Sequence, residues 1–432
     1  MADPTQFAWP RACPRSALFA VRVNGQPAGV LHTNPADFVI IPIDGAIEIE
    51  VDAPGPIKQV VVRPLSKGVR AQVEGRTVRF ALAGPAHLSV EIDGLLPIFV
   101  FADAPDANPP GPEDTGVHYF RAGQVYEVGE LQLAGDETLY IEGGAVVRGC
   151  VRATDAQHVR IAGHGILDGS YYRQGVDATR TILLKRCQDA AIEDITIIQP
   201  STWTIDLEFC RRVRVRNVKE IAEVSGSDGV DVVSCQDVLI EGCFLRNGDD
   251  CVVVKARSPE QNPGLDTDVD GVTVQGCVLA KVGGGNAMEI GHELRTPSVR
   301  NITFRDCDVL CVEHHGAVFS IHNSDRATVS NVLYENIRVE HYFTYLIEFR
   351  VFRSRWSKDD VRGQVRGVRL ENIRVRQSIY NPGYSVSVIG GFDAAHTIEG
   401  VVIKNLYLDE HKVTSADEMD LYLKQASGVE IQ

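Results

Sequence analysis

From Ser16 to Phe101 apolar and polar residues alternate in short runs: ALFAVRVNG, DFVIIPIDG, IEIEVDA, QVVVRPL, TVRFALAG, LSVEIDG and PIFVFAD. A period of two, punctuated by Gly, Pro and Asp-Gly, is the pattern of half-buried strands joined by tight turns. The segment is therefore expected to fold as an antiparallel β-sandwich of seven or more strands. A proline-rich run, ADAPDANPPGPEDTG (Ala102 to Gly116), then ends the alternation. It marks a boundary between a domain of residues 1–112 and a second of residues 113–432.

Beyond the boundary the pattern changes. Fragments of one shape recur: HVRIAGHGIL, AAIEDITII, VRVRNVKEI, VLIEGCFLR, VTVQGCVLA, ITFRDCDVL, VLYENIRVE, VRLENIRVR and VVIKNLYLD. Their third strand residues are Ile161, Ile192, Val215, Ile240, Val274, Phe304, Tyr334, Leu370 and Ile403. A β-type repeat of roughly 20–36 residues without helical spacing signals a solenoid of stacked coils. The expected fold is all-β, a right-handed parallel β-helix of nine or ten coils following the sandwich. Three residues past the anchors stand Cys243, Cys277 and Cys307 among Ile and Val, and five residues before stand Cys187, Cys210 and Cys235. These columns make cysteine a small interior hydrophobe. Asn217, Asn336, Asn372 and Asn405 form a further column, suited to a left-handed turn residue or an amide ladder.

Composition narrows the function classes. A net charge of −15 disfavours nucleic acid and anionic membranes as partners. No apolar stretch reaches the roughly 18 residues of a membrane span, and no secretory signal is visible at the N-terminus. Ten cysteines without a Cys-x-x-Cys pair give no zinc ribbon. Thiols free of disulfides favour a cytoplasmic location. His314 and His315 are adjacent but lack a third ligand at useful spacing, so neither metal nor cofactor is expected. Sequence is silent on oligomeric state.

The chemistry concentrates in GSDGVDVVSCQDVLIEGCFLRNGDDC, Gly226 to Cys251. DGVDVVS from Asp228 aligns with DCVVVKA from Asp250, placing Val230 under Val252 and Val232 under Val254. Stacked parallel strands lie about 4.8 Å apart, so Asp228, Asp249 and Asp250 are expected to meet. Clustered carboxylates cannot all ionise freely, and one is expected to keep its proton beside ionised neighbours. A protonated acid beside a carboxylate is the equipment for cleaving a glycosidic bond. Capping turns or a calcium site would use the same residue types.

These motifs resemble the polygalacturonase family, glycoside hydrolase family 28, and the leading sandwich resembles the dextranase and isopullulanase family 49 in architecture. YIEGGAVVRG and IAGHGILDGS are similar to the first coils of such enzymes. The resemblance implies an inverting hydrolase with Asp249 as general acid and Asp228 and Asp250 holding the attacking water. Gly285-Asn286-Ala287 stands where the family pattern has Gly-His-Gly, and Ser320-Ile321-His322 where it has Arg-Ile-Lys. The expected substrate is therefore an oligo- or polysaccharide other than polygalacturonate.

Continuing the register puts Asp231, Val253, Glu289, Ser320 and Glu348 in one outward column, with Lys255, Gly291, His322 and Arg350 in the next. With Asn286 and with His292 and Glu293 at its edge, this face is expected to form a sugar-binding floor. A solvated face of weak salt bridges is the competing reading. Trp203, one coil earlier, suits stacking on a sugar ring or burial in the core. Tyr171 and Tyr172 are loop contributors, and Glu289 is an alternative second catalytic carboxylate. Other functions open to such a chain are a polysaccharide lyase, a fructan-type transferase and a non-catalytic glycan-binding β-helix.

Overall fold

The computed structural model describes residues 7–376 and 385–432. Two five-stranded sheets come first. One runs in the order Gln26–Ala28, Ala20–Val23, Ile47–Asp52, Thr77–Leu82, Gln72–Glu74. The other runs Leu31–Thr33, Ala36–Pro42, Ile98–Asp103, Ala86–Ile92, Val60–Arg63. Alternation explains their packing: Val21, Val23, Ile49, Val51 and Val78 face Val39, Ile41, Leu88, Val90 and Val100 in one apolar core. One pairing departs from the expected antiparallel pattern, since Ile98–Asp103 runs parallel to Ala36–Pro42. The last sandwich strand ends at Asp103 and the next strand begins at Val117.

The rest is a right-handed parallel β-helix. Every repeat anchor pairs with the next, from Ile161 with Ile192 through Tyr334 with Leu370 and Leu370 with Ile403. The solenoid exceeds nine or ten coils, because this sheet adds Val117–Phe120 and Thr138–Ile141 before the first anchor and Ala426–Ile431 after the last. Those outer rungs lack the recurring fragment, which is why the repeat pattern misses them. Each typical coil contributes a strand to three parallel sheets. Cys187, Cys210, Cys235, Cys243, Cys277 and Cys307 all sit in the core, none in a disulfide. The Sγ of Cys210 lies 3.2 Å from the carbonyl oxygen of Leu184, that of Cys235 3.2 Å from Leu207. Asn336, Asn372 and Asn405 occupy left-handed turns, and their side-chain amides bond rung to rung at 3.1 Å. No helix among the described residues is long and apolar enough to cross a membrane.

The two parts meet through one sheet of each. Phe99 and Phe101 of the sandwich pack on Phe244 of the solenoid with ring centroids 5.1 and 5.2 Å apart. Beside this aromatic contact lies a buried ion cluster. The Nζ of Lys219, fully buried, donates to Asp103 Oδ2 at 2.7 Å, and Asn217 and His87 bond the other oxygen at 3.0 Å. Burial alone would raise the Asp103 pKa, but Lys219, His164 and His87 hold it well below the usual carboxylate range. Removing one member of such a pair strands the other charge, at a cost of about 3–5 kcal/mol. Lys219→Met should therefore lower unfolding free energy by about that amount in urea titration, and Asp103→Asn in the same chain should restore part of it. An unchanged midpoint would mean that the aromatic contact carries the docking alone.

Candidate active site

Three turns that connect the second sheet to the third carry the candidate residues. Each precedes a strand whose alternate residues fill the core: Val230–Val233, Val252–Ala256 and Met288–Leu294. The predicted register holds, with Val230 opposite Val252, Asp231 opposite Val253, and Val232 opposite Val254. The backbone N–H of Gly229 donates to the carbonyl of Asp250 at 2.8 Å, so Asp228 and Asp250 lie on adjacent rungs. Asp228 and Asp250 are buried, at 3% and 8% exposure, while Asp249 is half-buried and opens to solvent.

Hydrogen bonds fix each carboxylate differently. Asp249 accepts from the N–H of Gly226 at 3.1 Å and from that of Asp250 at 3.2 Å. Asp228 accepts from the Lys255 ammonium at 2.8 Å, and Asp231 accepts from the same nitrogen at 2.6 Å. Asp250 Oδ1 accepts from the backbone N–H of Asn286 at 2.6 Å and from its side-chain amide at 3.1 Å. Burial and then the charge of Asp228 raise the Asp249 pKa to about 6, against the opposing pull of Lys255. Burial, Asp228, Glu289 and Asp249 together push Asp250 well above its ordinary value. The cluster thus keeps protons at pH values where isolated aspartates have lost them.

The neighbouring columns fall largely as expected. Met288 pairs with Phe319 and Phe319 with Ile347, so Glu289, Ser320 and Glu348 form one column and Gly291, His322 and Arg350 the next. Two corrections follow. Lys255 sits opposite Val233 but has no single partner on the following rung, because the pairing there jumps from Val254–Ile290 to Ala256–Leu294. Gly291, His292 and Glu293 form a bulge there, and bulges of this kind re-aim side chains. The second correction concerns burial. Asp231 and Glu289 have no exposed surface, and Asn286 is 5% exposed. The Asn286 amide is spent on Asp250 and on the N–H of Ala317, which it accepts at 2.8 Å. These three act beneath the floor rather than on it.

Trp203, His292 and Arg350 do reach the cleft surface, half-buried. Lys255 Nζ lies 3.8 Å from the Trp203 ring centroid and the Arg180 guanidinium carbon 4.3 Å. His322 is clasped by Glu289 at 3.0 Å and Glu348 at 3.2 Å. Burial opposes its charge, yet the two carboxylates raise its pKa to about 10. His292 stacks on it with centroids 4.6 Å apart, and burial lowers the His292 pKa to about 4.

Sequence reasoning missed an acidic and basic extension one coil earlier. Arg180 pairs with Asp206 at 3.2 Å, and Lys185 and Arg257 both pair with Glu208, at 2.8 and 2.6 Å. Asp206 stacks directly on Asp231. The available signal was IDLEF aligned on VDVVS, carried one rung further back.

Gly285 shows how tightly the aspartates are seated. Its φ is 72°, and a Cβ there would lie 2.4 Å from Asp249 Oδ1 and from the Asp250 nitrogen. Gly285→Ala should cost about 1–3 kcal/mol in urea unfolding through overpacking and backbone strain. Unchanged stability would show that the turn relaxes freely.

A family model described as glycosyl hydrolases family 28 matches residues 130–377. A probable polygalacturonase of Arabidopsis thaliana is 20% identical over 45% of this chain and 41% of its own length. An endopolygalacturonase of Emericella nidulans is 21% identical over 59% of this chain and 65% of its own. The chain thus spans less than two thirds of both. The solved structure of Dex49A from Penicillium minioluteum shares the fold over 100% of this chain and 97% of that one, at 14% identity and a TM-score of 0.62. With the model covering more than half of its residues, the chain belongs to the glycosyl hydrolases of family 28.

Proposed function

We propose that the protein hydrolyses a glycosidic bond in an uncharged oligo- or polysaccharide, with inversion at the anomeric carbon. Asp249 is the general acid. It is the most open of the three carboxyls, and its pKa of about 6 keeps it protonated in mildly acidic solution. It gives its proton to the leaving oxygen. Asp228, paired with the Lys255 ammonium, and Asp250, held by Asn286, position the water that attacks from the opposite face. As the new bond forms, the water's proton passes to Asp228, whose carboxylate accepts from the Lys255 ammonium.

The observation that carries the substrate class is charge pairing. Each of the cations described at the cleft floor has a carboxylate partner: Lys255 has Asp228 and Asp231, His322 has Glu289 and Glu348, Arg350 has Glu348, Arg180 has Asp206, and Lys185 and Arg257 share Glu208. A uronate carboxylate would find no cation without a carboxylate partner among these described residues. Sugar hydroxyls instead find both donors and acceptors beside the half-buried Trp203.

A second reading has its own support. A cavity of about 540 Å³ further along the solenoid is lined by Arg350, Arg353 and Lys424 with Phe352 and Phe392. Such a site suits a carboxylated sugar several units from the scissile bond, in keeping with relatives named as polygalacturonases.

A panel of defined oligosaccharides, neutral and uronate-containing, read by anomer-resolved NMR, separates these readings. Cleavage of neutral chains with inverted product is expected. Faster turnover of oligogalacturonate than of any neutral chain would overturn the substrate class. On a responsive substrate, Asp249→Asn should lower kcat by about 10²–10⁴-fold with the fold intact, and wild-type activity in that variant would remove Asp249 from the mechanism. Because the acid form must be present, kcat/KM should fall as pH rises through about 6.

A further inference from the structure

The bulge at Gly291–Glu293 brings together three side chains that the hydrolytic scheme does not use. A carboxylate oxygen of Glu289 and ring nitrogens of His292 and His322 all lie within 4.8 Å of one another. We propose that Glu289, His292 and His322 form a binding site for a borderline divalent transition metal of the zinc type, set just beneath the cleft floor beside Asp250.

The donor set fits that chemistry. Two imidazoles and one carboxylate suit zinc and its neighbours in the first transition row and leave a coordination position open. The Nδ1 of His322 lies 3.0 Å from both oxygens of Glu289. Two ligand atoms about 2.1 Å from one tetrahedral ion stand about 3.4 Å apart, so binding opens this pair by a few tenths of an ångström. The other ring nitrogen, Nε2, faces Glu348 at 3.2 Å. Metal-bound histidines almost always donate their second N–H to such a carboxylate, which fixes the tautomer and the ring.

Unmet hydrogen-bonding capacity points the same way. The Nδ1–H of His322 bonds Oε1 of Glu289, and an ion bound here takes the place of that proton. Oε2, on a side chain with no exposed surface, has no donor in bonding geometry among the described residues, and neither has the buried Nδ1 of His292 a partner. Buried polar atoms call for a partner, and an ion bound between them supplies one to both. Phe352 packs against both imidazoles at 5.6 Å, supplying the apolar wall that limits water at a metal site. The bulge exists because residue 291 is glycine: its φ is 140°, and a Cβ would meet Glu289 Oε1 at 2.7 Å and the carbonyl oxygen of His322 at 2.3 Å. Only glycine lets the chain fold His292 over Glu289.

Zinc or cobalt(II), added to the chelator-treated full chain, is the direct test. One equivalent of cobalt should give visible d–d bands without thiolate charge transfer, and zinc should displace it. Calorimetric zinc affinity should fall at least tenfold in His292→Ala and in Glu289→Gln, and about 10–100-fold in Glu348→Gln. Asp249→Asn should bind zinc as the parent does, so loss of hydrolysis and loss of the metal are told apart. Circular dichroism of each variant checks that the fold persists. Failure to bind either ion at millimolar concentration, thiolate bands from the cysteines, or full affinity in His292→Ala would overturn the site.

Discussion

Parallel rungs about 4.8 Å apart bond residue to residue, and a slip by one position would turn every interior side chain outward. That restriction governs the solenoid. Val230, Val252 and Met288 point inward on successive coils, which leaves Asp231, Val253 and Glu289 pointing outward in a line. The interior column cannot shift without exposing apolar surface worth about 0.8 kcal/mol per methylene. The polar face is therefore positioned by the core beneath it. Asp228 and Asp250 meet because the valines two residues on must pair.

The same restriction explains what could be read from sequence. A repeat of β-type fragments reveals its register through its apolar anchors, and all nine anchors pair as aligned. The three aspartates, the Glu289–Ser320–Glu348 column and the cysteine columns follow from that alignment alone. Irregularities were illegible. The bulge at Gly291–Glu293 depends on a local choice between straight pairing and an inserted loop, and His292 is aimed by that choice. Depth was illegible too. Alternation shows that Asp231 and Glu289 leave the interior, but not that Lys255 and His322 lie across them. The parallel pairing of Ile98–Asp103 with Ala36–Pro42 is invisible for a similar reason, since strand runs do not encode their order in a sheet.

Charge is arranged on this scaffold in two ways. At the junction with the sandwich, Lys219 and Asp103 are sealed together with histidines around them, a device that fixes two parts against each other. In the cleft, Lys255 and His322 are each shared between two carboxylates. Asp249 and Asp250 gain proton affinity from burial and neighbouring carboxylates, while Lys255 limits that gain. The general acid and its neighbours thus differ in environment rather than in residue type.

The sulfur columns inside the solenoid carry a consequence of their own. Cys187, Cys210, Cys235, Cys243, Cys277 and Cys307 have no exposed surface, so alkylating reagents reach them only when a rung peels away from its neighbours. Solenoid stability is carried by nearest-neighbour contacts, and opening propagates coil by coil. Each thiol therefore dates the moment its own turn of the spiral comes loose, and the order of labelling would trace the direction in which the coil unravels.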